Sequence, residues 1–409
     1  MIDTIVIGGG AAGMLAAAEA ACRGFNTVLL EPNRQVGRKL RITGKGRCNV
    51  TNACDVKDFM ANVPQNGKFL FGAINKLSPT DTMELFENLG LKLKVERGNR
   101  VFPVSDSANE VADILEKHMS DSGVGIKRVK ALDIIVSDGV IKSVKTTEGE
   151  LACRNVIIAT GGASYPATGS TGDGWRIAKR LGHTVTPARA SLVPLEAKGD
   201  ICAKLMGLSL KNVAITVFEN DKQVYKDFGE MLFTHFGLSG PLILSASAHM
   251  RDFDKSRYHI TIDLKPAIDE QTLDKRLLSD FDKFKNSDFI NALGELLPRK
   301  LIPVAVELSG IDPRVKVNSI TKEQRRELLG ILKNLRIDIS KPRPISEAII
   351  TSGGVSTKEI DPKTMESKIV RGLYFAGEVI DVDAYTGGFN LQIAWSTAYT
   401  AANSLEYPE

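Results

Sequence analysis

The sequence predicts an α/β chain organised around a parallel sheet that two insertions interrupt, and three observations carry that expectation. The first thirty residues read strand, glycine-rich turn, helix, strand. After Pro187 this alternation gives way to β runs with one polar face and then to charged amphipathic helices. Strand followed by helix returns in the last sixty-odd residues of the 409. A chain of this length exceeds one core, so we expect a first domain in two pieces, residues 1–190 and 342–409, around a β-rich insertion at 191–269 and a small helical one at 270–341.

The elements follow in order. Ile5-Val6-Ile7 is a short apolar strand, Gly8 to Gly13 a turn, the small residues through Arg23 a helix, and Thr27 to Leu30 a second strand, which together make a βαβ unit. Val36 to Asn52 is rich in Gly, Lys and Arg without periodicity, and long ordered connections of this kind are usually functional. Helical patterns occupy 78–89 and 109–122, and β runs occupy 125–135, 140–146 and 155–159. In the insertion, 210–219 and 258–264 alternate like strands, while 231–245 is apolar and broken by Gly237, Gly240 and Pro241. Amphipathic stretches at 272–284, 288–297 and 322–335 supply the helical part. Strands at 345–350 and 373–376 lead into a final helix from about Gly388 to Ser404 and complete the first domain's sheet.

With 43% hydrophobic and 25% charged residues the composition is that of a globular protein, and 53 basic against 49 acidic side chains leave a formal charge of +4. No Lys/Arg block interleaved with aromatics occurs, so small molecules rather than nucleic acid are the expected partners. Five scattered cysteines fit reduced thiols and a cytoplasmic setting. We expect neither a signal segment nor a membrane span.

Gly8-Gly9-Gly10-Ala11-Ala12-Gly13 matches G-x-G-x-x-G between a strand and a helix, and Glu31 ends the next strand about 20 residues on. Gly8 permits the turn, Gly10 admits a diphosphate to the backbone, Ala11 and Ala12 open the helix N-terminus that faces it, and Gly13 lets helix and strand pack closely. Glu31 would accept from ribose hydroxyls and repel a 2′-phosphate, so an unphosphorylated ADP moiety is expected, as in FAD or NAD. Two later strands also end in glycine: Thr160-Gly161-Gly162 closes one, and Gly377-Glu378, with Asp381 beyond, closes another. Three such ends suggest one extended ligand, FAD, and their combination resembles the two-dinucleotide-fold flavoproteins. Thr386-Gly387-Gly388-Phe389-Asn390-Leu391-Gln392 opens the last helix, whose N-terminus would stabilise negative charge on a reduced flavin.

Five stretches make the resemblance specific: Gly37 to Asn52, Thr168 to Gly174, Leu232 to Pro241, Thr351 to Val355 and Tyr385 to Gln392. Together they resemble, from end to end, the bacterial flavoprotein family that includes aminoacetone oxidase and a dehydro-bile-acid reductase. That resemblance implies a Rossmann-like FAD-binding domain with β-rich and helical insertions. It also implies non-covalent FAD held by residues mapping to Gly8, Gly10, Gly13, Glu31, Arg38, Lys39, Thr160, Gly161, Gly377, Glu378 and Asn390 to Gln392. A more distant similarity, through Ala159 to Gly162 and Thr171 to Gly174, is to fumarate-reductase and ketosteroid-dehydrogenase flavoproteins.

The expected activity is an FAD-dependent oxidoreduction, with hydride passing between the flavin and a small organic substrate caught between the FAD domain and the inserted β module. Tyr165, Tyr385 and His235 are the polar catalytic candidates. No second G-x-G-x-x-G follows a strand, so NAD(P)H would visit only transiently as electron donor. We expect reduction of an unsaturated carbonyl compound such as a steroid or dehydro-bile acid, because the chain is similar to flavoproteins that act on carbon–carbon double bonds and because the insertion holds Leu205, Met206, Leu208, Met231, Leu232, Phe233, Phe236 and Leu238, which could cover a large apolar ligand. The alternatives are an amine or aminoacetone oxidase producing hydrogen peroxide and, from another class, a flavin-binding sensor or RNA-associated protein without turnover. Arg38, Lys39, Arg41, Lys45 and Arg47 are expected to neutralise the FAD diphosphate. Cys48 and Cys54 lack the spacing of a redox pair, and His118, His183, His235, His249 and His259 show no metal spacing.

Overall fold

The structure is a computed structural model, and it describes residues 1–406. Two compact units emerge: Met1–Ser191 together with the chain from Ile345 onward, and Leu192–Pro344. In the first unit Ile2–Ile7 lies between Thr27–Leu30 and Gly149–Ile158, all parallel, and Gly125–Lys127 extends the ribbon beyond Thr27–Leu30. The long strand Gly149–Ile158 divides its other edge between two partners. Its first half pairs antiparallel with Val140–Thr146, and its last residues, Val156 to Ile158, pair parallel with Leu373–Phe375. The C-terminal segment therefore completes the sheet that the N-terminus begins. Because the central strands are covered on both faces, they read as continuous apolar runs: Thr27–Leu30 and Leu373–Phe375 are buried at every position.

Helix Ala11–Cys22 packs against the C-terminal helix Phe389–Asn403 and against Ala108–Asp121. Ala16, Ala17, Ala18 and Ala20 have no exposed surface, so the small side chains predicted for this helix allow close approach. Phe389–Asn403 is anchored from its middle, where the indole of Trp395 donates to the Val50 carbonyl at 2.9 Å and its ring meets Phe86 edge-on.

In the second unit Leu195–Ala197, Gly237–Ser239, Lys222–Phe233, Ser209–Glu219, Tyr258–Asp263 and Leu335–Pro342 close into a six-stranded barrel. Val213, Ile215, Val217, Ile260, Ile262, Ile337 and Ile339 fill it, which is the alternation anticipated for two of the strands. Helices Glu270–Lys283, Phe289–Ala292, Ile302–Ser309 and Lys322–Lys333 share that same core. Three expectations are corrected here. Residues 270–341 do not form a body of their own, because their helices bury Leu273, Leu277, Leu328 and Leu332 in the barrel's core. The final strand of the barrel lies at 335–342, inside the stretch expected to be helical and running to the start of the expected return segment. Leu205, Met231, Phe233 and Leu238 have no exposed surface, so four of the eight residues expected to cover a ligand fill the core instead, while Met206, Leu208, Leu232 and Phe236 keep exposed surface. Among the described residues no helix is long and apolar enough to cross a membrane.

Candidate functional site

The carboxyl ends of four parallel strands deliver the predicted site residues to one edge of the first sheet: Gly8 after Ile7, Glu31 after Leu30, Thr160 after Gly149–Ile158 and Gly377 after Leu373–Phe375. Gly13 is forced by packing, since a Cβ there would stand 1.8 Å from the Gly8 carbonyl oxygen. Gly10 differs: nothing lies within 4 Å of where its Cβ would be. It caps helix Ala11–Cys22 with no side-chain hydrogen bond, so the first-turn amides of Ala11, Ala12 and Gly13 precede the helix's own carbonyl acceptors beside open space.

Glu31 is 9% exposed and its carboxylate is fixed from two sides. Oε2 accepts from the Gly9 amide at 2.9 Å, and Oε1 accepts from the Asn33 amide at 2.8 Å and side chain at 2.6 Å. Arg38 reaches Asn33 Oδ1 at 2.7 Å and so braces the same corner from the solvent side. Lys39 does something other than the expected neutralisation of a diphosphate. Its Nζ donates to Glu378 Oε2 at 2.7 Å and to Ser164 Oγ at 2.6 Å, while Glu378 Oε1 accepts from the Thr351 amide at 2.8 Å. Thr351 in turn receives the Ala163 amide on Oγ1 at 2.9 Å. Four chain segments are thus knotted beside Gly161, a junction with Ser164 and Thr351 that sequence reading did not assign to the site. Arg41 and Arg47 are likewise corrected: Arg41 pairs with Asp113 and Glu116, and Arg47 pairs with Glu96 and Asp106 while lying over the Phe102 ring.

At the other end, Gly388 adopts φ 100° with its Cβ position 2.3 Å from the Thr51 carbonyl oxygen, so only glycine turns the chain from Gly387 into the last helix. Asn390 accepts the Ala384 amide and donates to the Ala384 carbonyl, cinching the loop that contains Tyr385. Leu391 is half-buried against the core. The side chains of Gln392 and Asp381 are engaged within the chain. Gln392 is fully buried, accepting from Thr51 and donating to the Leu77 carbonyl, Thr82 and Ser396. Asp381 accepts from Gln65 at 2.9 Å and from Thr186 at 2.8 Å and is itself buried. Both shape the loop from behind.

Tyr165 sits in the left-handed region at φ 51°, its carbonyl held by the Thr168 amide and hydroxyl, immediately after Ser164. Strain at a bulky residue is the pattern of a site the surrounding structure over-determines. Tyr385 is half-buried, with its amide on the Asn62 carbonyl at 3.0 Å. His235 belongs to the barrel unit, on an exposed turn where its ring meets Phe236 edge-on. Burial pushes the Cys48 thiol up to about 12 and the Cys54 thiol up to about 11, with Asp58 and Asp55 adding to the latter, and neither forms a disulfide.

This parallel sheet, with glycine and carboxylate groups at its strand ends, is a Rossmann-type dinucleotide-binding unit. The chain belongs to the family described as the HI0933-like protein Rossmann domain, which residues 2–404 match. It is 31% identical over 98% of both chains to the 3-dehydro-bile acid Δ4,6-reductase of Clostridium scindens. It is 32% identical, again over 98% of both, to the ribosomal RNA dihydrouridine synthase of Haemophilus influenzae. The 3-ketosteroid Δ4-(5α)-dehydrogenase of Rhodococcus jostii shares its fold, with a TM-score of 0.52 at 13% identity, over 98% of this chain and 96% of that one.

The residues fit FAD. Open space at Gly10 beside uncapped amides suits a diphosphate, Glu31 Oε2 keeps a lone pair for a ribose hydroxyl, and the hydroxyl of Thr160 is buried without a partner at the end of its strand.

Proposed function

We propose that this chain reduces a carbon–carbon double bond conjugated to a carbonyl, with NAD(P)H as electron donor. One observation carries the reading. The two relatives just named act on unlike molecules, yet a Δ4,6-reductase of a 3-oxo bile acid and a dihydrouridine synthase both saturate a double bond conjugated to a carbonyl. Shared chemistry across unlike substrates is what a common flavin unit would retain.

Bound FAD would supply the hydride, which goes to the carbon β to the carbonyl. The first-turn amides of Ala11 to Gly13 would hold the diphosphate, Glu31 the ribose, and the Lys39–Glu378 pair would present no net charge beside the strand ends. A proton must reach the carbon α to the carbonyl, and the hydroxyls of Tyr165 and Tyr385 are the groups proposed to deliver it. Four of the eight apolar residues expected to cover a steroid are buried in the barrel unit's core, and the acceptor is proposed as an enone, of steroid or bile-acid type or otherwise, or a uracil-type ring.

Stopped-flow absorbance tests this. NAD(P)H should bleach the flavin within seconds, and without oxygen an enone or a uridine-containing RNA should restore it. Flavin that ignores NAD(P)H, is bleached by an amine such as aminoacetone and reoxidises in air with stoichiometric peroxide would establish the oxidase instead.

A further inference from the structure

Helices Val56–Ala61 and Gly67–Lys76 form an outward face of the FAD-binding unit that the sheet's chemistry leaves unexplained. A groove of about 610 Å³ runs between them, lined by Val56, Lys57, Met60, Lys68, Phe71 and Asn75. Phe71 is 60% exposed, although the helix it sits on buries Leu70, Ala73 and Ile74. Its ring lines the groove together with Val56 and Met60, which brings three apolar side chains to one place on the surface. The lining carries two ammonium groups and no carboxylate.

These helices are also tied to the site. The turn joining them bonds to the loop before the last helix: Asn66 donates to the Asp381 carbonyl at 2.6 Å, Gln65 to the Asp381 carboxylate at 2.9 Å, and the Asn62 carbonyl accepts the Tyr385 amide at 3.0 Å. A ligand on this face would pull on the backbone that carries Tyr385 and Gly388.

We propose that this face docks single-stranded RNA, with a base stacked on Phe71 and flanking phosphates on Lys57 and Lys68. Stacking platforms bordered by cations are how sequence-tolerant binding of single strands works, because every base has a flat face and every linkage an anion. The proposal rests on the reductive reading for its choice of partner, since a uracil ring is one of the acceptors that reading admits. Near balance of charge along the whole chain does not oppose it, because the whole-chain figure averages over a patch this local.

The test uses FAD-loaded protein without electron donor, so that binding is read apart from turnover. Anisotropy of a fluorescently labelled uridine-rich 12-mer is followed against salt concentration. Wild type should bind with a negative salt slope, and Phe71→Ala should weaken binding about tenfold. Lys57→Gln with Lys68→Gln should reduce the magnitude of the slope by about 1.4, two phosphate contacts at about 0.7 each. Unchanged flavin absorbance in every variant certifies the fold. Wild type that does not bind, or variants that bind like wild type, would overturn the proposal. So would a dimer of wild type, seen by sedimentation, that Phe71→Ala dissociates, since the face would then belong to a second copy. Flavin bleached by NAD(P)H and recoloured by an enone while no RNA binds would sink the docking face and leave the reductive reading standing. RNA binding with flavin inert to NAD(P)H and to both acceptors would do the reverse.

Discussion

Gly10→Ala should separate the fold from the ligand. The backbone at Gly10, φ −83° and ψ −169°, lies in the extended region that alanine adopts freely, and its Cβ would meet nothing within 4 Å. Replacing glycine at a compatible position removes freedom from the unfolded chain and stabilises by about 0.4–1 kcal/mol. Alanine is a poorer helix cap than glycine by a similar amount, so the stability of the cofactor-free protein should stay within about 1 kcal/mol of wild type. The added methyl nevertheless occupies the space beside the uncapped amides of Ala11 to Gly13. Losing one charge-assisted hydrogen bond to a diphosphate oxygen costs about 1.5–3 kcal/mol, which is roughly a 10- to 150-fold loss of FAD affinity. Titration of apoprotein by quenching of FAD fluorescence reads the affinity, and thermal unfolding with and without FAD reads the stability. Wild-type affinity in the variant would show that the diphosphate lies elsewhere. A loss of several kcal/mol in the apoprotein would show that Gly10 serves the fold rather than the ligand.

Gly13→Val should instead damage both, because the 1.8 Å approach of its Cβ to the Gly8 carbonyl must be relieved by moving the helix; circular dichroism and FAD retention on gel filtration would check it. Iodoacetamide at pH 8 should alkylate exposed Cys22 first and leave Cys48, Cys153 and Cys202 untouched in folded protein, because burial pushes each of those thiols up to about 12; peptide mass mapping over time reads the order. Acidification should destabilise the chain: burial lowers the pKa of His183, Glu359 opposing, so the unfolded chain takes up a proton near pH 6.5 that the folded one resists. Stability should be full above that pH and fall as pH drops toward the folded-state value. His183→Gln should flatten the fall in urea titrations, though only in part, because His249 and His259 are shifted in the same direction by burial.

Much of the FAD-binding unit could be read from the sequence because its chemistry is local. Gly8 to Gly13 and Glu31 follow their strands directly, and the apolar strand through Ile7 pairs in register with the one ending at Leu30. What escaped reading depends on side chains meeting across hundreds of residues. The Lys39–Glu378 pair joins positions 339 apart, and no local pattern distinguishes a lysine bound for a carboxylate from one bound for a phosphate. Gln392 and Asp381 lie in telling motifs, yet their directions are set by Thr51, Thr82, Gln65 and Thr186, which the motifs do not contain. Helix Ile302–Ser309 escaped because Val304, Ala305 and Val306 are buried in succession, leaving no amphipathic stripe to detect. Barrel closure was invisible because its last strand, Leu335–Pro342, lies beyond four helices from the strand it meets at Tyr258–Asp263.

The divided edge of Gly149–Ile158 has a consequence for synthesis. As the chain leaves the ribosome, Val156 to Ile158 emerge long before Leu373–Phe375, the strand that covers them. At the usual rates of translation that interval is roughly 10–45 s, during which an apolar parallel edge stands open. The barrel unit is made wholly within that time and has a core of its own, so it can close first. A nascent chain from which Pro344 has just emerged would hold a finished barrel and an unsealed sheet, the state most in need of a chaperone.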